Sequence, residues 1–311
     1  MIDSQLYQAL QIRYIKLHFT IAFTETAVLP VNKVSALRGG MGEMLLRANC
    51  IRDRRCDSCD FEEECIVRRT MYSKFKEKPA YVTNGESVGY VLECENYMTE
   101  FSCGEKMNFN LILFGRTIVY LNQYLQAFYA LGMNGIGSNH ARFQIVSLTN
   151  TNKQDILSNN HVFMNNYVVR PVSDYVEFRL EKLRKNGMEG RLVFKTPLTL
   201  KYQSEFLQEF QMEAIVNAIK RRIQILDYFE QIQNNFYYDY QVPIPEITRQ
   251  EHQFINVRRC SSRQGHMSLK GIEGQLQMKE ADAETIPLLL AGELIHIGKN
   301  TSFGFGRYQL K

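Results

Sequence analysis

The chain has 311 residues, 45% of them apolar and 23% charged. This is a globular composition with room for two ordinary domains and no case for wholesale disorder. The net charge of +4 permits an acidic partner without requiring one. No apolar run is long enough to span a bilayer and Met1-Ile2-Asp3-Ser4-Gln5 is no signal peptide, so no membrane association and a cytoplasmic location are expected.

Residues 14–26 alternate apolar and polar with many β-branched side chains, the pattern of a strand. His18 lies within it and reads as a satisfied sheet residue. Beyond Pro30, Ser35 opens a helix to about Ala48, with Leu37, Met41, Leu45 and Ala48 on one face. Gly39, Gly40 and Gly42 lie inside it, each at a cost of about 1 kcal/mol relative to Ala; a close approach by another backbone would explain them. Residues 50–85 then read as a loop insertion.

That insertion holds four of the seven cysteines, Cys50-x5-Cys56-x2-Cys59-x5-Cys65. An odd total argues against a disulfide framework, and four thiols with a central C-x-x-C can close around one tetrahedral metal. Zinc is the expected ion and an iron–sulfur cluster the alternative. Arg52, Arg54 and Arg55 would offset the charge of such a site. Cys94, Cys103 and Cys260 read as packing residues.

Strands follow at 88–94 and 106–117, a helix at 119–133 and a strand at 143–148. The order β-α-β-β-α-β is the ferredoxin-like arrangement. His140, beside Arg142, falls in the preceding turn. The asparagine-rich stretch 149–173 reads as a connection, which puts the domains at 1–170 and 171–311. Residues 175–183 and 190–200 read as a hairpin turning at Lys185-Asn186-Gly187. Ser204 then opens a long helix to about Glu230 whose apolar stripe begins at Phe206 and Phe210, with Lys220-Arg221-Arg222 on a solvated face. A strand pair at 254–260 and 267–278 carries Arg258, Arg259, Arg263 and Lys270 with no acid between Asn256 and Lys270. Such a local cationic excess signals nucleic acid better than the whole-chain charge does.

After a helix at 284–294 comes His296-Ile297-Gly298-Lys299-Asn300-Thr301-Ser302-Phe303-Gly304-Phe305-Gly306-Arg307-Tyr308, then a last strand. Gly298, Gly304 and Gly306 free the backbone of Cβ atoms, and a loop that exposes N–H groups suits phosphate. Lys299 and Arg307 add charge, and His296 adds a side chain that titrates near neutrality. A phosphate-loop ATPase motif is excluded: the spacing from Gly292 to Gly298 is one residue too long and Asn300 stands where Ser or Thr is needed.

These segments together resemble the CRISPR-associated RAMP endoribonucleases that cut precursor CRISPR RNA, in the branch with a cysteine-rich N-terminal domain. The final loop resembles that family's glycine-rich loop. Arg258–Gln264 with Leu269-Lys270-Gly271-Ile272-Glu273-Gly274 is similar to its basic hairpin. Phe194-Lys195-Thr196-Pro197-Leu198, Phe114-Gly115 and the four cysteines also match. The resemblance implies an α+β chain of two tandem ferredoxin-like (RRM-like) domains. It implies metal-independent attack of a 2′-hydroxyl on the adjacent phosphodiester, leaving a 2′,3′-cyclic phosphate and a 5′-hydroxyl, with no catalytic metal. Many members carry a catalytic histidine in the first helix. That helix has none here, so His296 becomes the expected acid or base, Lys299 the phosphate-stabilising cation, and Tyr308 a helper. Gly298, Gly304, Gly306, Arg307, Arg258, Arg259, Arg263 and Lys270 are the expected RNA contacts. CRISPR repeat RNA is the expected partner, with other effector subunits, for a monomer or homodimer. The competing expectation is a non-catalytic RAMP subunit that holds guide RNA.

Overall fold

The computed structural model describes residues 2–54, 56–61, 63–73, 79–82, 88–158, 161–261, 265–279 and 282–311, without the side chains at 57, 258–261 and 265–267. The chain divides into two compact units, Tyr14–Val169 and Met1–Arg13 with Arg170–Lys311. The expected boundary near residue 170 therefore needs one correction: the first thirteen residues belong with the C-terminal unit. Helix α1 (Ser4–Ala9) and the segment after it bury Leu6, Leu10 and Ile12, and the amides of Val172 and Ser173 donate to the carbonyls of Ile12 and Leu10.

The N-terminal unit runs β1 (Arg13–Phe23), α2 (Lys33–Asn49), β2 (Tyr90–Glu93), β3 (Lys106–Phe114), α3 (Leu121–Asn134) and β4 (Phe143–Thr149). Its sheet order is β2-β3-β1-β4, antiparallel throughout, which is the ferredoxin-like order. Alternation in β1 sends Leu17, Phe19 and Ile21 into the core, where Phe19 stacks on Phe109 at 4.7 Å, while Lys16, His18 and Thr20 stay half-exposed on the other face. Two of the three glycines of α2, Gly40 and Gly42, make room for side chains rather than backbone, while a Cβ on Gly39 would meet nothing. A Cβ on Gly40 would lie 2.5 Å from Leu131 of α3, and one on Gly42 would lie 2.7 Å from Met71.

The asparagine-rich stretch is not only a connection. It holds β5 (Asp155–Ser158) and β6 (His161–Val162), which extend the sheet beyond β4. Asn150 supports the turn that makes this possible: its side-chain oxygen accepts from the amides of Asn152 and Gln154, the local bonding that favours Asn in turns.

In the C-terminal unit the expected hairpin strand at 175–183 is instead helix α4 (Val172–Asn186). Val172, Val176, Arg179 and Leu183 are buried at helical spacing, and Gly187, at φ 80°, is its C-cap rather than a hairpin turn. The unit then runs β7 (Arg191–Leu198), α5 (Met212–Phe229), β8 (Ile247–Ser261), β9 (Gly265–Met278), α6 (Thr285–Ile295) and β10 (Tyr308–Leu310), with sheet order β8-β9-β7-β10. The ferredoxin-like order thus recurs. No helix among the described residues is long and apolar enough to cross a membrane.

Helix α5 departs from expectation in its polar residues. Lys220 and Arg222 are buried, not solvated. The Lys220 ammonium and Arg221 guanidinium lie 5.5 and 4.7 Å from the Tyr237 ring centre, and Arg222 Nε donates to the carbonyl of Ile295. These cations brace the unit.

Asp227, near the end of α5, lines a cleft of about 490 Å³ with α1. Burial pushes its carboxyl from 3.8 up to about 7, against the opposing Asn234 hydrogen bond and with help from Glu230. A carboxyl raised on folding contributes stability that is full below the unfolded value and is lost as pH rises through the folded one. The melting temperature should therefore fall between about pH 4 and pH 7, and Asp227→Asn should remove that step. Equal pH dependence of melting in the two proteins would contradict this assignment.

Candidate nucleic-acid interface

The glycine-rich loop leaves α6 at His296, whose backbone takes φ 56°. The ring is fully buried and its Nδ1 lies 3.1 Å from the carbonyl oxygen of Phe305. That oxygen can only accept, so Nδ1 carries the proton. The arrangement closes the two ends of the loop on each other. Tyr308 is 2% exposed and its hydroxyl donates to the carbonyl of Leu289; burial holds its phenol well above the ordinary value. A group that serves a phosphodiester must reach it. His296 and Tyr308, the expected acid or base and its helper, are both buried in this structure, where their side chains hold the loop to its helix.

The glycines have a similar purpose. Gly306, at φ 68°, donates its amide to Pro197 and accepts from Ile297; a Cβ there would lie 1.8 Å from the Ile297 oxygen. A Cβ on Gly298 would lie 2.5 Å from the Thr199 oxygen. The amides of Ile297, Lys299, Phe303, Gly304, Phe305, Gly306 and Arg307 all donate within the protein. The expected cradle of outward N–H groups at Gly304 and Gly306 is therefore replaced by a loop packed on the end of β7. Phe303 and Phe305 point back from it into a small apolar cluster with Leu269 of β9 and Val257 of β8.

That cluster joins the loop to the basic hairpin, and Thr199 adds a second tie. Thr199 is buried; its carbonyl accepts from the Lys299 amide at 2.8 Å and its hydroxyl donates to the carbonyl of Lys270. Lys299 and Lys270, 29 positions apart in sequence, are thereby held by one residue with both side chains exposed. Arg307 is half-buried, its amide bonded to the Thr196 hydroxyl. Arg258 and Arg259 lie in β8, opposite Ser268 and Met267; their side chains, and the whole of Arg263, lie outside the described residues.

Residues that the sequence did not single out complete the surface. Lys201–Tyr202 and Glu205–Phe206 form a two-stranded hairpin whose second strand replaces the start of the helix expected from Ser204. It places Phe206, 48% exposed, with the Lys201 ammonium 4.9 Å and the Lys299 ammonium 6.0 Å from its ring centre.

The cysteine segment does not gather into a metal site: among the described residues no three of His, Cys, Asp and Glu are placed to hold an ion. Cys50 is the C-cap of α2, Cys56 begins a 3-10 turn and Cys65 precedes a short helix; all three pack at the edge of the N-terminal core. Half-buried thiols there act as small apolar groups. The expected Cys50, Cys56, Cys59 and Cys65 tetrathiolate is not assembled among the described residues.

Other histidines differ from His296. His140 and His161 are exposed. His18 is half-exposed in β1, its Nδ1 2.7 Å from Asn110 Oδ1, while Asn110 Nδ2 donates to Glu93, which in turn pairs with Lys16 at 2.8 Å. Since Asn110 presents its oxygen, His18 Nδ1 is the donor and Nε2 is left as an acceptor. Burial, aided by Lys16, lowers its pKa against the raising effects of Asn110 and Glu93, so the ring is neutral near pH 7.

Two family models match the chain. One, an N-terminal domain named AF_1859_N, covers residues 10–172, and the other, the CRISPR-associated endoribonuclease Cas6, covers residues 192–308. The C-terminal part of the chain matches the CRISPR-associated Cas6 endoribonucleases, and the N-terminal half belongs to the AF_1859_N domain family. An uncharacterized protein of Archaeoglobus fulgidus is 22% identical over 289 residues, 91% of this chain and 93% of that one. Two solved Cas6-RT-Cas1–Cas2 complexes share the fold, each at TM-score 0.58 and 11% identity over 96% of this chain; the match spans 46% and 29% of those longer chains. A Cas6 product complex matches at TM-score 0.50 and 10% identity, over 97% of this chain and all of that one. The Cas6 match and the ferredoxin-like order in both units agree with each other.

Proposed function

We propose that the chain is a metal-independent endoribonuclease that cuts precursor CRISPR RNA within its repeats. In the reaction, the 2′ oxygen forms a bond to phosphorus as the phosphorus–O5′ bond breaks. One proton leaves the 2′-hydroxyl and one joins O5′, giving a 2′,3′-cyclic phosphate and a 5′-hydroxyl. The chemistry needs a base, an acid and a cation at the crowded phosphate. The observation that carries this reading, beside the Cas6 match, is the exposed pair Lys299 and Lys270 held on one buried threonine. Lys299 takes the cation role and Lys270 a backbone contact. The similar solved structures are a Cas6 product complex and Cas6-RT-Cas1–Cas2 complexes; RNA and other CRISPR proteins are proposed as partners here by that analogy.

Lys299→Ala should slow cleavage by about 10²–10³-fold, the usual cost of losing a group aimed at developing charge. Lys270→Ala should weaken RNA binding and lower the salt dependence of affinity by about 0.7 in log–log slope. Single-turnover cleavage of a repeat RNA and binding titrations at several salt concentrations read these out. Unchanged cleavage in Lys299→Ala would remove that residue from the chemistry.

One observation favours the second reading, a non-catalytic RAMP subunit that holds guide RNA: the loop histidine is buried. His18, with its acceptor Nε2, is the histidine to replace next. A His18→Ala protein that stays folded and binds RNA but cuts poorly would support the nuclease.

A further inference from the structure

The Phe206 hairpin is built to present an aromatic ring. Leu200 and Leu207 flank it, both buried, and the Leu207 amide donates to the Leu200 carbonyl at 3.0 Å. Between them Lys201 pairs with Phe206 and Tyr202 with Glu205, and the tip residues Gln203 and Ser204 take φ 49° and 71°. Two consecutive left-handed residues make the tight turn that matches the twist of a short hairpin, and neither is the glycine that would adopt it without strain. Tyr202 fixes one strand further, its hydroxyl donating to Glu213 of α5 at 2.7 Å. The outcome is that Leu207 goes in and Phe206, its neighbour, goes out.

Two cations attend that ring, one from the hairpin and one from the glycine-rich loop. An ammonium against an exposed ring is worth about 0.5–1 kcal/mol, whereas a nucleobase stacked on an aromatic side chain is worth about 1–3 kcal/mol. A base therefore displaces the ammonium groups from the ring, and both lysines are then placed to meet phosphates on either side of that base. An aromatic platform with cations at its edge is the general solution for unpaired nucleic acid.

We propose that Phe206 is the stacking platform for one unpaired nucleobase of the bound RNA, with Lys201 and Lys299 on its flanking phosphates. This rests on the RNA-binding reading above and adds a base-binding subsite to it. Stacking tolerates any base, so the subsite fixes the register of a single-stranded stretch without reading its sequence.

The test uses the full-length protein and a fluorescently labelled repeat RNA carrying a 2′-deoxy sugar at the cut site, so that binding is measured without cleavage. Phe206→Ala should weaken binding on the order of 5- to 100-fold, the range for one stacked base. Phe206→Tyr should stay close to wild type. Replacing single nucleotides by abasic sites should find one position that costs the wild type the same loss and costs Phe206→Ala nothing further. Lys201→Ala should lower the log–log salt slope by about 0.7 while Phe206→Ala leaves it unchanged. Unaltered affinity in Phe206→Ala, with melting like the wild type and with Lys270→Ala still weakened, would overturn the platform and leave the RNA-binding reading standing. A wild type that binds no repeat RNA would overturn both.

Discussion

Arg179→Ala should destabilise the C-terminal unit by about 3–5 kcal/mol, the cost of leaving a buried charge uncompensated. The side chains of Arg179 and Glu293 are 8% and 3% exposed, and their two hydrogen bonds are 2.7 and 3.0 Å. Glu293 also accepts from the Tyr175 hydroxyl and the Leu310 amide, and Arg179 donates to the Leu310 carbonyl. One carboxylate thus joins α4, α6 and the final strand β10, and α6 is the helix from which the glycine-rich loop departs. The Glu293 partner holds the guanidinium pKa above its ordinary value, so the arginine stays charged across the useful pH range. Urea unfolding is the measurement. Arg179→Met with Glu293→Leu should recover only part of the loss: it removes the stranded charge but leaves the Tyr175 hydroxyl and the Leu310 amide and carbonyl without these partners. A single Arg179→Ala protein as stable as the wild type would show that the pair does not hold these elements together.

Gly306→Ala should cost about 3 kcal/mol or more, from a left-handed backbone that L-residues disfavour and from overpacking at the loop neck. The added Cβ would lie 1.8 Å from the Ile297 oxygen and 2.8 Å from its carbonyl carbon, both backbone atoms, so no side-chain movement relieves it. The amides on either side are committed: Gly306 to Pro197, and Ile297 to Gly306 itself. The melting temperature should drop, and RNA affinity should fall only in proportion to the unfolded fraction. Wild-type melting with selectively lost affinity would instead make Gly306 a direct RNA contact.

The framework of both units was legible because it depends on short-range pattern. β1 and β3 alternate, α2 and α3 carry apolar stripes, and the glycine loop resembles one family's loop. What failed depends on partners distant in sequence. In sequence α4 reads as a strand because its inward face includes Arg179, which reads as polar until Glu293 is seen beside it, and because Asn186-Gly187 serves equally as hairpin turn or helix cap. His296 stands out in sequence for its place beside the glycine loop, but its burial, with Nδ1 on the carbonyl of Phe305, depends on the loop closing back on itself. Phe206 fitted an apolar helical stripe with Phe210, and only the left-handed pair Gln203 and Ser204 turns it outward. The Cys50–Cys65 spacing is compatible with a metal, yet the spacing alone does not say whether the thiols converge or face the core.

The most direct test of the central claim is cleavage of a CRISPR repeat RNA from the protein's own array in EDTA, with and without a 2′-deoxy sugar at the cut site. The expected result is cutting in EDTA that leaves a 2′,3′-cyclic phosphate and a 5′-hydroxyl and disappears with the deoxy sugar. Tight binding without cutting would contradict the nuclease and leave the guide-holding subunit; cutting that needs a divalent metal, or that survives the deoxy sugar, would contradict the 2′-hydroxyl mechanism.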